Sequence, residues 1–365
     1  MRKIRMGIIG TGLAFERLHY PAYQELADRF EIVALCDREP EKARTWAERL
    51  GLDRDAVYDD YHQLTARGDL DAVDIMVPIE ENFEVTEAVA RAWAGKGRAI
   101  ICEKPLAPTL EQSIAAAELP QQYGIPIMIA ENYRYNEEVN KLRDLVRTEK
   151  IGKTVYFIQN YVSNFPADMR KDTFARTEWR QHPDYPAGDL LDGGIHQLAG
   201  LRHIFGAVKN VHAVGRRQDD DFSPCAVFNV NLDFWSGVTG QFTYYDAGRE
   251  PQRPLVGLRI FGTRGEIYLE ERDCGIINVA LNDGGAEQIP YTPRRGYYNE
   301  LVNFHQAFTG QEPLAVTPEM ELGDAKTVFA ILQSLRGEEV VRVDDGPAYV
   351  PDYNRQQRQI PRHLQ

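Results

Sequence analysis

The first 130 residues alternate short apolar runs with helical segments, and few folds accept a chain patterned in this way. Apolar runs at 3–9, 31–36, 72–77, 98–102 and 125–130 are separated by helical patterns at 20–29, 40–50, 84–94 and 110–123. Local punctuation agrees with the periods. Pro40 stands in the first turn of the second helix, Gly51 just past its end, and Thr109 where an N-cap is needed. Strands parted by helices of this length pair in parallel through right-handed crossovers. An α/β N-terminal domain of the Rossmann type is therefore predicted over residues 1–130.

The first apolar run ends in Gly7-Ile8-Ile9-Gly10-Thr11-Gly12-Leu13-Ala14-Phe15. Gly10 permits a sharp turn out of the strand, and Gly12 lets the backbone approach a pyrophosphate at the N-terminus of the next helix. Two glycines after a strand also suit a bare turn, and Phe15 fills a position that is small in the dinucleotide fingerprint. Asp37 closes the second strand run, about 25 residues beyond Gly12, where a carboxylate can accept from both adenosine ribose hydroxyls. Its charge repels a 2′-phosphate and favours NAD, with NADP the alternative. Arg38 is placed to pair with such a phosphate or to stack on adenine, unless it is a solvated charge. Glu103-Lys104-Pro105 follows the strand at 98–102 at its carboxyl end, where open α/β sheets bind ligands. A lysine held there can donate to a hydroxyl or carbonyl oxygen, and partial burial brings its pKa toward useful acid–base range.

After residue 130 the pattern changes. A helix at 137–150 precedes longer strand candidates at 154–162, 208–215, 226–234, 238–245, 255–262 and 265–270, several joined by short turns with glycine. Those are hairpin signals. The chain from 131 to 352 is predicted as one α+β domain with a large, mostly antiparallel, open-faced sheet. Helices at 190–205, 298–309 and 318–336 complete it, and 353–365 form a polar tail. One face of such a sheet lacks helices, so a homodimer or homotetramer through that face is expected.

The remaining features exclude function classes. A net charge of −13 disfavours a phosphate backbone as partner. No uninterrupted apolar stretch reaches the length of about 18 residues that a membrane span needs. The four cysteines, Cys36, Cys102, Cys225 and Cys274, form no CxxC pair, so no metal site is expected. With no secretory leader pattern at the N-terminus, a cytoplasmic location is expected.

On its motifs the sequence resembles the Gfo/Idh/MocA oxidoreductases, the family of glucose–fructose oxidoreductase and inositol dehydrogenase. The resemblance is carried by the Gly10/Gly12 turn, Pro78, Glu103-Lys104-Pro105, Asn132-Tyr133-Arg134-Tyr135, Asp192-Gly193-Gly194-Ile195-His196, the run 260–265 and Thr317-Pro318-Glu319. It implies a nicotinamide enzyme that interconverts a secondary alcohol and a ketone on a sugar, inositol or related polyhydroxylated molecule. Transferred to this sequence, Lys104 binds the reacting oxygen, Asp192 positions substrate and tunes its neighbours, and His196 is the general acid–base. Gly10, Thr11, Gly12, Leu13, Asp37, Arg38, Pro78, Asn82, Glu103 and Lys104 contact the cofactor. Departures are Phe15, with its ring free to turn toward the nicotinamide edge, Val77 before Pro78, Asn82 and Ala199.

Other candidates rest on residue chemistry. Arg134 is a substrate or nicotinamide contact, or else half of a structural ion pair. Arg176 and Arg180 lie in a polar and aromatic segment at 164–189 and suit an anionic substrate group. Two further functions fit the same motifs: a lyase or glycosidase that removes and returns hydride within one cycle, and a non-enzymatic dinucleotide sensor.

Overall fold

A computed structural model of the chain describes residues 2–246 and 256–343. The apolar run at the N-terminus becomes β1 (Ile4–Ile9), buried along almost its whole length, as a strand covered on both faces must be. It joins β2 (Phe30–Cys36), β3 (Val57–Tyr58), β4 (Ala72–Ile75), β5 (Ala99–Glu103) and β6 (Ile127–Ala130) in a parallel sheet ordered β3-β2-β1-β4-β5-β6. The crossovers carry α1 (Tyr20–Glu25), α2 (Pro40–Leu50), α3 (Tyr61–Thr65), α4 (Ile79–Trp93) and α5 (Leu110–Tyr123). The arrangement is doubly wound, with its switch point between β1 and β4. Residues 57–58 are too few to leave a periodic signal, so the sequence does not reveal β3.

The second part contains α6 (Glu137–Arg147), α7 (Phe165–Asp168), α8 (Glu178–Gln181) and α9 (Ile195–Phe205). Its strands are β7 (Thr154–Val162), β8 (Val208–Arg217), β9 (Cys225–Phe234), β10 (Thr239–Tyr245), β11 (Gly257–Gly262), β12 (Gly265–Leu269), β13 (Ile276–Leu281), β14 (Ala286–Pro290) and β15 (Val341–Arg342). They form one sheet ordered β14-β13-β12-β11-β7-β10-β9-β8-β15, antiparallel except where β7 runs parallel to β10. The β13–β14 hairpin is an addition to the sequence-based prediction. The predicted start of β11 at residue 255 and the tail at 353–365 lie outside the described residues. Along β9, Phe228, Val230, Leu232 and Phe234 are buried while Asn229 and Asn231 are exposed, the period-2 pattern of a half-covered sheet. On the covered face Phe205 of α9 stacks on Phe157 of β7, with ring centroids 4.9 Å apart.

Two helices lie between β14 and β15, α10 (Gly296–Phe308) and α11 (Pro318–Gly337). Among the described residues the chain divides into two compact units, 2–132 with 297–322 and 133–296 with 323–343. A single boundary near 130 therefore describes only the first crossing. The reason is packing: Phe304 of α10 stacks on Phe30 of β2 at 6.4 Å, and the Val316 carbonyl accepts from the Ile129 N–H at 3.2 Å. Among the described residues no helix is long and apolar enough to cross a membrane. All four cysteines are free, with Cys36, Cys102 and Cys225 buried and Cys274 exposed.

Candidate active site

The glycine turn sits at the switch point of the parallel sheet. Gly10 has φ 92°, and a Cβ there would stand 2.3 Å from the Met76 carbonyl oxygen beyond β4. Only glycine satisfies both conditions. A Cβ at Gly12 would meet nothing within 4 Å, so open space faces this turn and leaves room for a pyrophosphate. Helical winding begins at Leu13, with Leu13 and Ala14 half-buried and the Glu16 N–H donating back to the Gly12 carbonyl at 3.0 Å. The next turn, Phe15–His19, is wound i→i+5 and closes with the Tyr20 N–H on the Phe15 carbonyl. Phe15 is fully buried, its ring 4.8 Å from that of Trp46 and 5.7 Å from that of Tyr20. Its size is absorbed by an aromatic cluster, so it does not reach toward a nicotinamide.

Asp37 is positioned by this turn as much as it awaits a ligand. Its Oδ2 accepts from the Thr11 N–H and hydroxyl, each at 2.8 Å, and its Oδ1 accepts from the Glu39 N–H at 3.0 Å. A carboxylate has about four acceptor positions. One remains here, so the two-hydroxyl grip expected from sequence is reduced to a single acceptor. Arg38 is exposed and paired with Glu81. Pro78 caps α4 and accepts from the Glu81 N–H at 2.9 Å.

The turn carrying Lys104 leaves the carboxyl end of β5, and its Lys104–Pro105 peptide is cis. Asn82 of α4 is buried, and its Nδ2 donates to the carbonyls of Glu103 at 2.9 Å and Pro105 at 3.0 Å. Expected as a cofactor contact, Asn82 uses its Nδ2 to pin the turn on both sides of the lysine, while its buried Oδ1 has no hydrogen-bond partner among the described residues. Glu103 is equally occupied. Its Oε2 accepts from the Lys104 N–H at 3.0 Å, and its Oε1 lies 2.9 Å from His19 Nε2. The other nitrogen of His19 lies 2.8 Å from Asp74 Oδ2, which also accepts from the Tyr23 hydroxyl at 2.9 Å.

Sequence reasoning missed this buried network, although a lone aspartate inside the apolar strand β4 was its visible trace. Burial alone would lower the pKa of His19. The charge and hydrogen bond of Asp74, with Glu103, outweigh it and raise the imidazole well above its ordinary range. Burial pushes the neighbouring Glu300 carboxyl well up, and the negative charges of Glu103, Asp74 and Glu131 add to that push against the opposing pull of His19.

In the second unit the Asp192–His196 motif also starts on an i→i+5 turn, Leu190–Gly194, that runs into α9. A Cβ at Gly193 would stand 2.6 Å from the Tyr244 hydroxyl, which donates to Asp189 at 2.6 Å. Asp192 is buried and takes the Arg180 Nε–H at 2.6 Å. The Arg180 guanidinium also lies 3.9 Å over the Trp179 ring. Arg180 is thus the partner of Asp192 rather than a free anion receptor. The half-buried His196 ring stacks on Tyr133 with centroids 4.6 Å apart and planes 13° from parallel. The Arg272 guanidinium lies 3.6 Å from the Tyr133 ring centroid, and Gln197 donates to the Tyr133 hydroxyl at 3.2 Å.

Two further candidates are placed elsewhere. Arg134 is buried with both Asp324 oxygens 2.7 Å from its Nη2, beside Arg202 on the same carboxylate. That is the structural ion pair, and it removes Arg134 from the ligand set. Arg176 is exposed and paired with Asp172 at 3.0 Å.

Residues 4–131 match the sequence model of the Gfo/Idh/MocA oxidoreductase family, NAD-binding Rossmann fold, and residues 139–268 match the Gfo/Idh/MocA C-terminal domain. An uncharacterised protein of Saccharomyces cerevisiae is 29% identical, covering 90% of this chain and 93% of its own length. The D-apiose dehydrogenase of Paraburkholderia graminis is 28% identical over 74% of this chain and 68% of its own. The crystal structure of an oxidoreductase from Thermotoga maritima superposes with a TM-score of 0.81 at 29% identity, covering 94% of this chain and 99% of that one.

Proposed function

Since this chain belongs to the Gfo/Idh/MocA oxidoreductase family, whose first domain binds NAD, we propose that it interconverts a secondary alcohol and a ketone on a sugar, inositol or related polyhydroxylated molecule. The single observation that carries the proposal is the Lys104 turn, pinned by Asn82 and Glu103 at the carboxyl end of β5 in a sheet whose switch point carries Gly10 and Gly12. Likeness to a D-apiose dehydrogenase supports the substrate class.

NAD, when bound, supplies the hydride acceptor. Gly10, Thr11, Gly12 and Leu13 would hold its pyrophosphate and Asp37 its ribose through the one free acceptor. Lys104 binds the reacting oxygen and lowers the cost of its charge. His196 takes the hydroxyl proton in oxidation and returns it in reduction. Its ring is oriented by the Tyr133 stack. Asp192, held by Arg180, positions substrate hydroxyls. The outer face of the second sheet presents Tyr156, Val214, Tyr245 and Ile276 to solvent. A second copy covering that face makes the working form a homo-oligomer.

The test is a screen of sugars, inositols and their keto and acid derivatives with NAD and with NADP, read at the nicotinamide absorbance band. Reduced cofactor should accumulate with an alcohol substrate, more readily from NAD because of the Asp37 charge. Lys104→Ala and His196→Ala should each lower turnover about 100- to 10,000-fold, the usual worth of a positioned acid–base group. Unchanged turnover in both variants overturns the assignment, and turnover without accumulated reduced cofactor points to the cycling alternative.

A further inference from the structure

The first unit buries more polar machinery than this chemistry employs, and its centre is His19. Both partners of the ring are carboxylates, which in their ionised form only accept. At 2.8 Å from Asp74 and 2.9 Å from Glu103, the imidazole donates from both nitrogens, which makes it an imidazolium. Its ring is fully buried, and so is Asp74. The groups around it come from several elements: Asp74 on β4, with the Tyr23 hydroxyl of α1 on the same carboxylate, Glu103 on β5, and Tyr297 and Glu300 on α10. Apart from His19 itself, every ionisable group in this set is acidic.

The Glu103 carboxylate joins this ring to the catalytic turn. One oxygen meets His19, and the other accepts from the backbone N–H of Lys104. Asn82 holds the carbonyls on either side of the same residue. Three hydrogen bonds therefore fix the backbone around Lys104, and the one from its own N–H runs to a carboxylate that His19 orients. His19 is in turn carried by the i→i+5 turn that continues the Gly10–Gly12 loop.

We infer that His19 is a positioning residue: it sets the Lys104 turn through Glu103 and ties that turn to the segment proposed to hold the dinucleotide. The inference rests on the acid–base role proposed for Lys104. In the absence of His19, Glu103 would lose the hydrogen bond that fixes its Oε1 and could turn its Oε2 away from the Lys104 N–H. The Lys104 N–H would lose its partner, and the amine would lose its defined position.

The test uses the NADH-saturated enzyme carrying His19→Gln, compared with the parent and with Lys104→Ala. NADH affinity, read by fluorescence, should stay within about threefold, because the open side of Gly12 is unchanged. Amide hydrogen exchange at Lys104 should become about tenfold faster or more, with β4 and β5 unchanged, as expected for a local opening. With a substrate from the screen, kcat should fall about 30-fold while KM changes little, the signature of a misplaced group rather than a lost binding contact.

Parent-like exchange at Lys104 together with parent-like kcat overturns the inference. So does a fall in kcat that merely tracks lost NADH affinity. If His19→Gln does not fold, Asp74→Asn keeps the ring but removes one of its carboxylates. It should show the same changes at smaller size, and parent-like behaviour there overturns the inference. Full activity of Lys104→Ala defeats the proposed lysine chemistry alone, and the exchange measurement still decides whether His19 holds the turn.

Discussion

Each unit buries a histidine, and the surroundings of the two move the imidazole pKa in opposite directions. His19 in the first unit faces two carboxylates that only accept, so both of its nitrogens donate. His203 on α9 in the second unit has its Nε2 2.6 Å from the Arg143 guanidinium, which only donates, and 3.1 Å from Asn140 Oδ1. Burial, then the charges of Arg143 and Arg134, push His203 well below the ordinary imidazole range. Burial acts on His19 in the same direction and loses to Asp74 and Glu103. Both rings are almost or wholly removed from water. The sign of the partner charge, not the degree of burial, decides which form the protein holds.

Three measurements test whether the two rings differ in charge. The largest effect is expected for His19→Leu, which leaves Asp74 and Glu103 buried without their cation. Removing one partner of a buried pair costs about 3–5 kcal/mol, read as a lower midpoint in urea unfolding. His203→Leu should cost less, about 1–3 kcal/mol, because a neutral ring is lost and the penalty is one unmet donor of Arg143. A larger loss at 203 than at 19 would mean that the two rings carry the opposite charges.

The smallest effect is the pH dependence, at most about 1.4 kcal/mol per pH unit for each ring. The folded pKa of His19 lies above its ordinary 6.5. Its contribution is complete below pH 6.5 and is lost as pH rises through the folded value. The folded pKa of His203 lies below 6.5. Its contribution is present above pH 6.5 and is lost as pH falls through the folded value. The stability gap between parent and His19→Leu should therefore narrow on the alkaline side, and that for His203→Leu on the acid side. Gaps that narrow in the same direction would remove the distinction.

Much of the fold was legible because its signals are local. Period-2 and period-3.6 patterns, Pro40, Gly51 and Thr109 each act within a few residues, and the elements they announce are present. The positions of Gly10, Asp37 and the Lys104 turn were legible for the same reason, since each marks the end of a strand. Residues 57–58 and the hairpin at 276–290 carried too little pattern to be seen. The return of 297–322 to the first unit depends on Phe304 meeting Phe30, a contact between positions far apart in the chain.

The sequence was enough to show where the chain turns, which runs lie inside, and that a glycine turn follows β1. The uses of the polar side chains were set by the folded arrangement. It used most of the Asp37 acceptors on Thr11 and Glu39, turned Asn82 onto backbone carbonyls, set Arg180 on Asp192 and Arg134 on Asp324, and put His19 between two acids. The reason is physical. Backbone propensity and hydrophobic period are written in neighbouring residues, whereas charge state and hydrogen-bond occupancy depend on distances across space, and the partners of His19 stand 55 and 84 residues away along the chain.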